Sequence, residues 1–363
     1  MTSYFQCSER LTNGPPPNGP KSEEEALARI DELYNSNVPW FSKKTIRSAL
    51  EQIQRRPARG DKIFVKAVDG TMVEYDIETG DVRDMRWADG PHTQWILQEP
   101  TLAYRCRANM RHDIFRGGFN EDRGYLNSIR IMHRSLERRK DNNELIDVLS
   151  RLPLEEATSD FEKHRQAWNE TEMCKNVTRI LDSSTTHLNI TKIVAVSLGC
   201  LSWRRTDDKD DDSNRSAYQH ALILTLRDWL KAKKNADKIP CYVQDPVYTD
   251  IDRALLAEHE VEVLNDPMAW LEINDFSIVV SIASNVPTKE IITDIASPAV
   301  IIWNEVGDDD YDEKDGMAMT DPCSSRVRAL IEGYDCFDWG ASDEQFGDVL
   351  MYVRRPKTLC REL

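Results

Sequence analysis

Lys192-Ile-Val-Ala-Val-Ser197-Leu-Gly199 is the stretch on which the fold turns. From Ile193 to Val196 it is apolar with no polar alternation, the pattern of a β-strand covered on both faces. The run stops at Ser197 and Gly199 permits a tight turn. After a polar loop, an amphipathic segment of helix length follows. Strand, turn and helix in that order open a Rossmann-like βαβ unit. In open α/β sheets ligands bind in the crevice outside the carboxyl ends of the strands, so Ser197 is predicted at the mouth of that crevice.

Outward from this strand the alternation continues. Helices are predicted over 214–233, 249–257, 289–295 and near 324–331, and strands over 240–243, 260–264, 277–282, 299–303 and near 349–353. Short apolar strands separated by helices predict a parallel sheet. The fold class expected is therefore α/β: Rossmann-like, doubly wound and mostly parallel, with an N-terminal α+β extension. A long helix over 159–181 is predicted to lead into the opening strand. Farther upstream, helices are expected over 23–34 and 43–54, the second N-capped by Ser42. A β-hairpin over 63–75 follows, whose Asp69-Gly70 suits a type I′ turn. The division this predicts is a disordered tail (1–24), a small α+β extension with the hairpin (25–95), a basic, mostly helical connector (96–155) and the Rossmann-like domain (156–363).

With 363 residues, 40% hydrophobic and 30% charged, the chain has a globular composition. Its net charge of −16 argues against a general duplex-DNA binder. Eight cysteines (7, 106, 174, 200, 241, 323, 336 and 360) form no CxxC pair and no ligand-like cluster with histidine. That predicts reduced, mostly buried thiols and no metal centre. No signal-peptide core opens the chain and no transmembrane run occurs, so a cytoplasmic protein with no membrane partner is expected.

Residues 101–140 depart from the acidic background, with ten Lys/Arg against four acids. A helix is predicted over 125–140, with Leu126, Ile129, Met132 and Leu136 on one face and Arg130, Arg134, Arg138 and Arg139 elsewhere. Such a block is either a site for a polyanion or a solvated helix paired to acids.

The first turn carries one glycine where GxGxxG needs three, which removes the pyrophosphate cradle of nicotinamide and flavin enzymes. It offers hydroxyls instead. Ser197 at a strand end, with Ser202 five residues on, is a candidate nucleophile or else a turn serine bonding its own backbone. Between 300 and 315 there are seven acids and one lysine directly after a buried strand. Asp309, Asp310 and Glu313 form a DDxxE pattern within it. A guanidinium held bidentately, a Mg²⁺ on two carboxylates, or plain solvation would each relieve that repulsion. Asp245, after the second strand, is placed either to meet a ribose hydroxyl or to build the turn before the next helix. His220 reads as packing.

Residues 191–304 resemble a family named for a plant phenotype, sensitivity to red light reduced. The matching pieces are Ile193 to Gly199, Arg215-Ser-Ala-Tyr218-Gln219-His-Ala221, Tyr242-Val-Gln244-Asp245-Pro246-Val-Tyr248, Asp252 and Pro298-Ala-Val-Ile-Ile-Trp303. More narrowly, the chain is similar to the fungal arginine-containing cyclodipeptide synthases, which share this domain and carry a DDxxE motif. That resemblance implies an aminoacyltransferase needing no cofactor, with 156–363 as its catalytic domain. Its partners would be arginyl-tRNA and a second aminoacyl-tRNA, and its product a diketopiperazine. Catalytic roles fall on Asp309, Asp310 and Glu313, on Ser197, which resembles the strand-end serine of bacterial cyclodipeptide synthases, and on the neighbouring Glu305. Ser202, Asp245 and Tyr218 are the expected substrate contacts, and Arg130, Arg134, Arg138 and Arg139 the tRNA contacts. The broader family implies a different outcome, a non-enzymatic regulatory protein.

Overall fold

A computed structural model describes residues 4–36, 38–83, 93–146, 151–203, 213–307, 313–314, 317–341 and 345–356. The chain is mixed α/β and divides into two compact units, Met1–Leu149 with Tyr311–Pro322, and Ser150–Asp310 with Cys323–Leu363.

The first unit runs β1 (Tyr4–Gln6), β2 (Glu9–Leu11), α1 (Glu23–Asn35), α2 (Lys43–Gln54), β3 (Lys62–Lys66), β4 (Met72–Asp76), β5 (Val82–Arg83), β6 (Thr93–Tyr104), α3 (Arg107–Gly117), β7 (Ile129–Arg139) and β8 (Leu145–Ile146). One sheet has the order β1-β7-β6-β5, with β8 also on β7; a smaller one has the order β2-β4-β3. Three expectations are corrected here. The stretch read as a disordered tail supplies β1 and β2, because β7 and β4 offer them backbone partners. The β3–β4 hairpin forms, but through a three-residue loop. Ala67 N–H donates to Thr71 O at 2.8 Å and Gly70 is the loop residue with positive φ, +90°, where a type I′ turn needs two.

The third correction is the basic segment. It is no helix but the strand β7, in which buried Ile129, Ile131, His133 and Ser135 alternate with half-buried or exposed Arg130, Met132, Arg134 and Leu136. A spacing of four residues between arginines fits a period of 2 as well as one of 3.6. The tie is broken by β6, which pairs with β7 from Thr93↔Arg139 to Tyr104↔Ile129.

The second unit runs α4 (Leu154–Glu170), α5 (Glu172–Ser184), β9 (Lys192–Val196), α6 (Ser213–Lys234), β10 (Cys241–Gln244), α7 (Asp250–Glu258), β11 (Glu262–Val263), α8 (Met268–Glu272), β12 (Ser277–Ser281), α9 (Thr288–Ile295) and β13 (Val300–Asn304). β14 (Glu313–Lys314) and β15 (Met317–Ala318) pair with each other inside the segment that belongs to the first unit. α10 (Ser325–Ile331), β16 (Tyr334–Phe337) and β17 (Val349–Arg354) close the second. The long helix expected over 159–181 is two helices. Thr171 is extended (φ −73°, ψ 154°) and its hydroxyl accepts from Cys174 N–H at 3.1 Å. A side chain that caps a new helix ends the old one.

The large sheet has the order β11-β10-β9-β12-β13-β17-β16. The first five strands are parallel, and β17 and β16 add antiparallel at the β13 edge. Successive strands therefore leave β9 in two directions, β10 and β11 to one side, β12 and β13 to the other. Both faces are buried. Ile193, Ala195, Ile278, Val280, Val300 and Ile302 join the main core with Phe161, Trp168, Leu222 and Leu226, while Val194, Val196, Val279, Ile301 and Trp303 are buried on the opposite face. Ile302 is fully buried, so Ile302→Ala should lower the unfolding free energy by about 2–5 kcal/mol and Ile302→Val by about 0.5–1.5 kcal/mol in urea titrations; equal effects would mean that this strand is not core.

Candidate functional site

At the carboxyl edge of the parallel strands, the chain leaves β9 and β12 through unusual backbone. Ser197, directly after β9, has φ +61°, and Ala283, two residues beyond β12, has φ +50°. A left-handed non-glycine residue costs of order 1 kcal/mol or more and persists only where its surroundings dictate it. The surroundings are explicit. Ser197 N–H donates to Gln244 O at 3.1 Å, and Ala283 N–H donates to Asn304 Oδ1 at 2.7 Å. The register places Val196 beside both Gln244 and Ser281, so the two outliers stand at adjacent strand ends.

Their hydroxyls are connected. Ser197 Oγ lies 3.0 Å from Ser284 Oγ, and Ser284 Oγ lies 2.8 Å from Thr288 Oγ1. Val286 N–H also donates to Ser284 Oγ, at 3.2 Å. Ser284 and Thr288 are buried, whereas Ser197 is half-buried.

Two carboxylates brace the loop that follows Ser197. Asp245 takes Gly199 N–H on one oxygen (2.9 Å) and Val247 N–H on the other (3.1 Å). Burial raises its pKa, an effect opposed by those two N–H donors. Gly199 itself is left-handed, φ +72°, and a Cβ there would overlap the Ser216 hydroxyl, so the position suits only glycine. Asp252, fully buried, accepts from Leu201 N–H and Ser202 N–H on Oδ1 (2.8 and 2.9 Å). Its Oδ2 accepts from Ser202 Oγ (2.9 Å) and from the N–H and hydroxyl of Thr249 (both 2.7 Å).

Of the residues expected to meet substrate, Ser197, Asp245 and Tyr218 are half-buried. Ser202 is fully buried on Asp252. Tyr218 packs in an aromatic group, its ring 6.4 Å from that of Trp168 and 6.1 Å from that of His164. Asp245 spends both oxygens on backbone. Glu305 is exposed, with its N–H donating to Asp348 O at 2.6 Å. Asp309 and Asp310 lie outside the described residues, and Glu313 is described only as part of β14. Ser284, Thr288 and Asn304 were missed by sequence reasoning, although Ser284 carries the same signal as Ser197: a serine just past a buried apolar run.

In the first unit the basic residues differ in what holds them. Arg130 is bonded to Asp113 (3.0 Å) and Glu9 (3.4 Å). Buried Arg105 shares Asp113 at 2.7 Å, and burial with the nearby Arg130 charge pushes its pKa down to about 10. Arg134 is exposed and makes no ion pair among the described residues, and Arg138 shares its strand face. Arg139, on the other face, is 3.9 Å from Glu144.

Among the described residues, no group of three or more His, Cys, Asp or Glu could hold a metal ion, and no helix is long and apolar enough to cross a membrane. A family model described as the SRR1 domain matches residues 159–346, from within α4 to just before β17. No curated protein matches the chain.

His220 provides a test of the packing beneath this edge. Its Nδ1–H donates to Ser216 O at 2.6 Å and its Nε2 accepts from Tyr248 O–H at 2.7 Å, so the ring is neutral, and burial pushes its pKa down to about 4. A histidine lowered in the folded state is protonated first in the unfolded chain, so stability falls as pH drops from the unfolded value toward 4. Between pH 7 and 5 this group should remove about 2 kcal/mol. Urea titrations at the two pH values should show a smaller loss in His220→Gln; the same loss in both proteins would mean that His220 is not the group responsible.

Proposed function

Because the chain belongs to the SRR1 domain family, we propose that its second unit is a Rossmann-like, doubly wound catalytic domain and that the protein is a tRNA-dependent cyclodipeptide synthase. It joins arginine from arginyl-tRNA to the residue of a second aminoacyl-tRNA and releases cyclo-(Arg-Xaa). The observation that carries this reading is Ser197, a half-buried hydroxyl on strained backbone at the carboxyl end of the strand from which the sheet runs in both directions. That is where α/β sheets bind ligands, and strained residues concentrate at functional sites.

In the reaction proposed, Ser197 Oγ attacks the arginyl ester carbonyl. A new seryl ester forms, the ester bond to the ribose breaks, and the ribose oxygen takes up the proton that Ser197 loses. The arginyl α-amine then accepts the second residue from its tRNA. Attack of the free amine on the seryl ester closes the ring and returns a proton to Ser197. Two amide bonds replace two tRNA esters, so the esters supply the driving force and the protein supplies position and proton transfer. Asp309, Asp310 and Glu313 meet the guanidinium, with Glu305 beside them in sequence, and the β7 face carrying Arg134 and Arg138 holds tRNA phosphates.

Expression in a heterologous host should yield cyclo-(Arg-Xaa) by mass spectrometry of the medium. Asp309→Asn and Glu313→Gln should abolish it while the proteins stay folded. Labelled arginyl-tRNA should leave label on the wild type and none on Ser197→Ala. Absence of any product, or a fully active Ser197→Ala protein, overturns the reading.

The tRNA surface is tested separately. Arg134→Glu combined with Arg138→Glu should weaken binding of all aminoacyl-tRNAs about equally, because phosphate contacts position without specifying. The slope of log affinity against log salt should fall by about 0.7–0.9 for each arginine–phosphate pair removed. Fluorescence anisotropy across a salt series measures both, and an unchanged slope would move the tRNA surface elsewhere.

A further inference from the structure

We propose that Ser284 and Thr288 are positioning residues that orient the Ser197 hydroxyl for attack, through a directed chain from Ser197 O–H to Ser284 and from Ser284 O–H to Thr288. The inference rests on the reading of Ser197 as a nucleophile and assigns that nucleophile the partners the sequence did not suggest.

The geometry is continuous, with 3.0 Å for the first link and 2.8 Å for the second. Val286 N–H occupies one lone pair of Ser284. In the chain proposed, Ser284 donates on to Thr288 and accepts from Ser197, which turns the Ser197 hydrogen inward. The anchors are rigid at both ends. Thr288 is the first residue of α9, and Ala283, next to Ser284, is tied to Asn304 at the end of β13. Thr288 is fully buried and Ser284 is 6% exposed, so water does not compete for the bond between them. Linked hydroxyls polarise one another in such surroundings. The paired left-handed residues Ser197 and Ala283 are explained by the same need, since each turns its chain so that the two serine hydroxyls meet.

In the acylation step the chain adds no atom and removes none. The Oγ–carbonyl bond forms, the ribose ester bond breaks, and the Ser197 proton ends on the ribose oxygen. Ser284 and Thr288 keep their own protons overall and contribute orientation.

The test uses the full-length protein and two probes. A fluorophosphonate reports the reactivity of Ser197 without reference to tRNA: Oγ bonds to phosphorus, and fluoride leaves with the serine proton. Peptide mass spectrometry should locate the adduct on Ser197. Ser284→Ala and Thr288→Val should each slow labelling by about a hundredfold, the loss expected for a misplaced reacting group, while Thr288→Ser restores it. Melting curves should show all variants folded, and should Ser284→Ala unfold, the Thr288→Val and Thr288→Ser pair decides. Absence of labelling on wild-type Ser197, or equal labelling in the hydroxyl-deleted variants, overturns the inference. Labelled arginyl-tRNA forms the second arm, read as acylation rate and, by anisotropy, as affinity. If the phosphonate pattern holds and no arginine transfers, the positioning role stands and the arginyl-tRNA substrate falls. With both active, the variants should lose acylation rate with affinity unchanged.

Discussion

The carboxylate of Asp252 is the constraint on which the site depends. A buried charge is tolerated only when hydrogen bonds replace its water, and this one has five, from Leu201, Ser202 and Thr249. They tie the start of α7 to the loop leaving β9. Asp245 fastens the same loop two residues earlier, at Gly199. With Val196 fixed in the sheet and Gly199 fixed on Asp245, the chain between them must turn sharply, and Ser197 takes the left-handed conformation that the turn demands. The central strand thus owes the shape of its exit to the neighbouring strand and helix.

A second tie operates on the other side of β9. Asn304, at the end of β13, holds Ala283, so the loop after β12 is shaped by the strand that follows it. The two loops meet hydroxyl to hydroxyl. Neither serine is placed by its own strand alone, and the site is a property of four strand ends taken together.

Net charge is a poor guide to the charge a surface can offer. The basic block of the first unit is real in composition, yet Arg105 and Arg130 are drawn inward onto Asp113 and Glu9. A buried guanidinium needs its acids, and those acids come from α3 nearby in sequence and from β2 far from it. On the same face of β7 as Arg130, Arg134 stays exposed.

Apolar runs and cap residues were legible in the sequence because they act locally. The buried strand 193–196, the helices at 23–34 and 43–54, Ser42 as a cap and the alternation through 214–303 all follow from burial periodicity and short-range hydrogen bonding. Where two periods fit equally, as at 125–140, only the long partner strand β6 could choose between helix and strand. Where a single hydroxyl outweighed a continuing pattern, as at Thr171, the helix broke. Strand-end position marked Ser197, and it marked Ser284 just as clearly. That the two touch, that Ser202 and Tyr218 are committed to packing, and that Asp252 carries the loop depend on strand order and register, which bring together residues 50 to 90 positions apart, as Ser202 with Asp252 and Ser197 with Ser284. Local sequence determines which faces are buried; which buried groups find each other is decided by the tertiary fold, because hydrogen bonds between distant segments exist only once the sheet has set their distance.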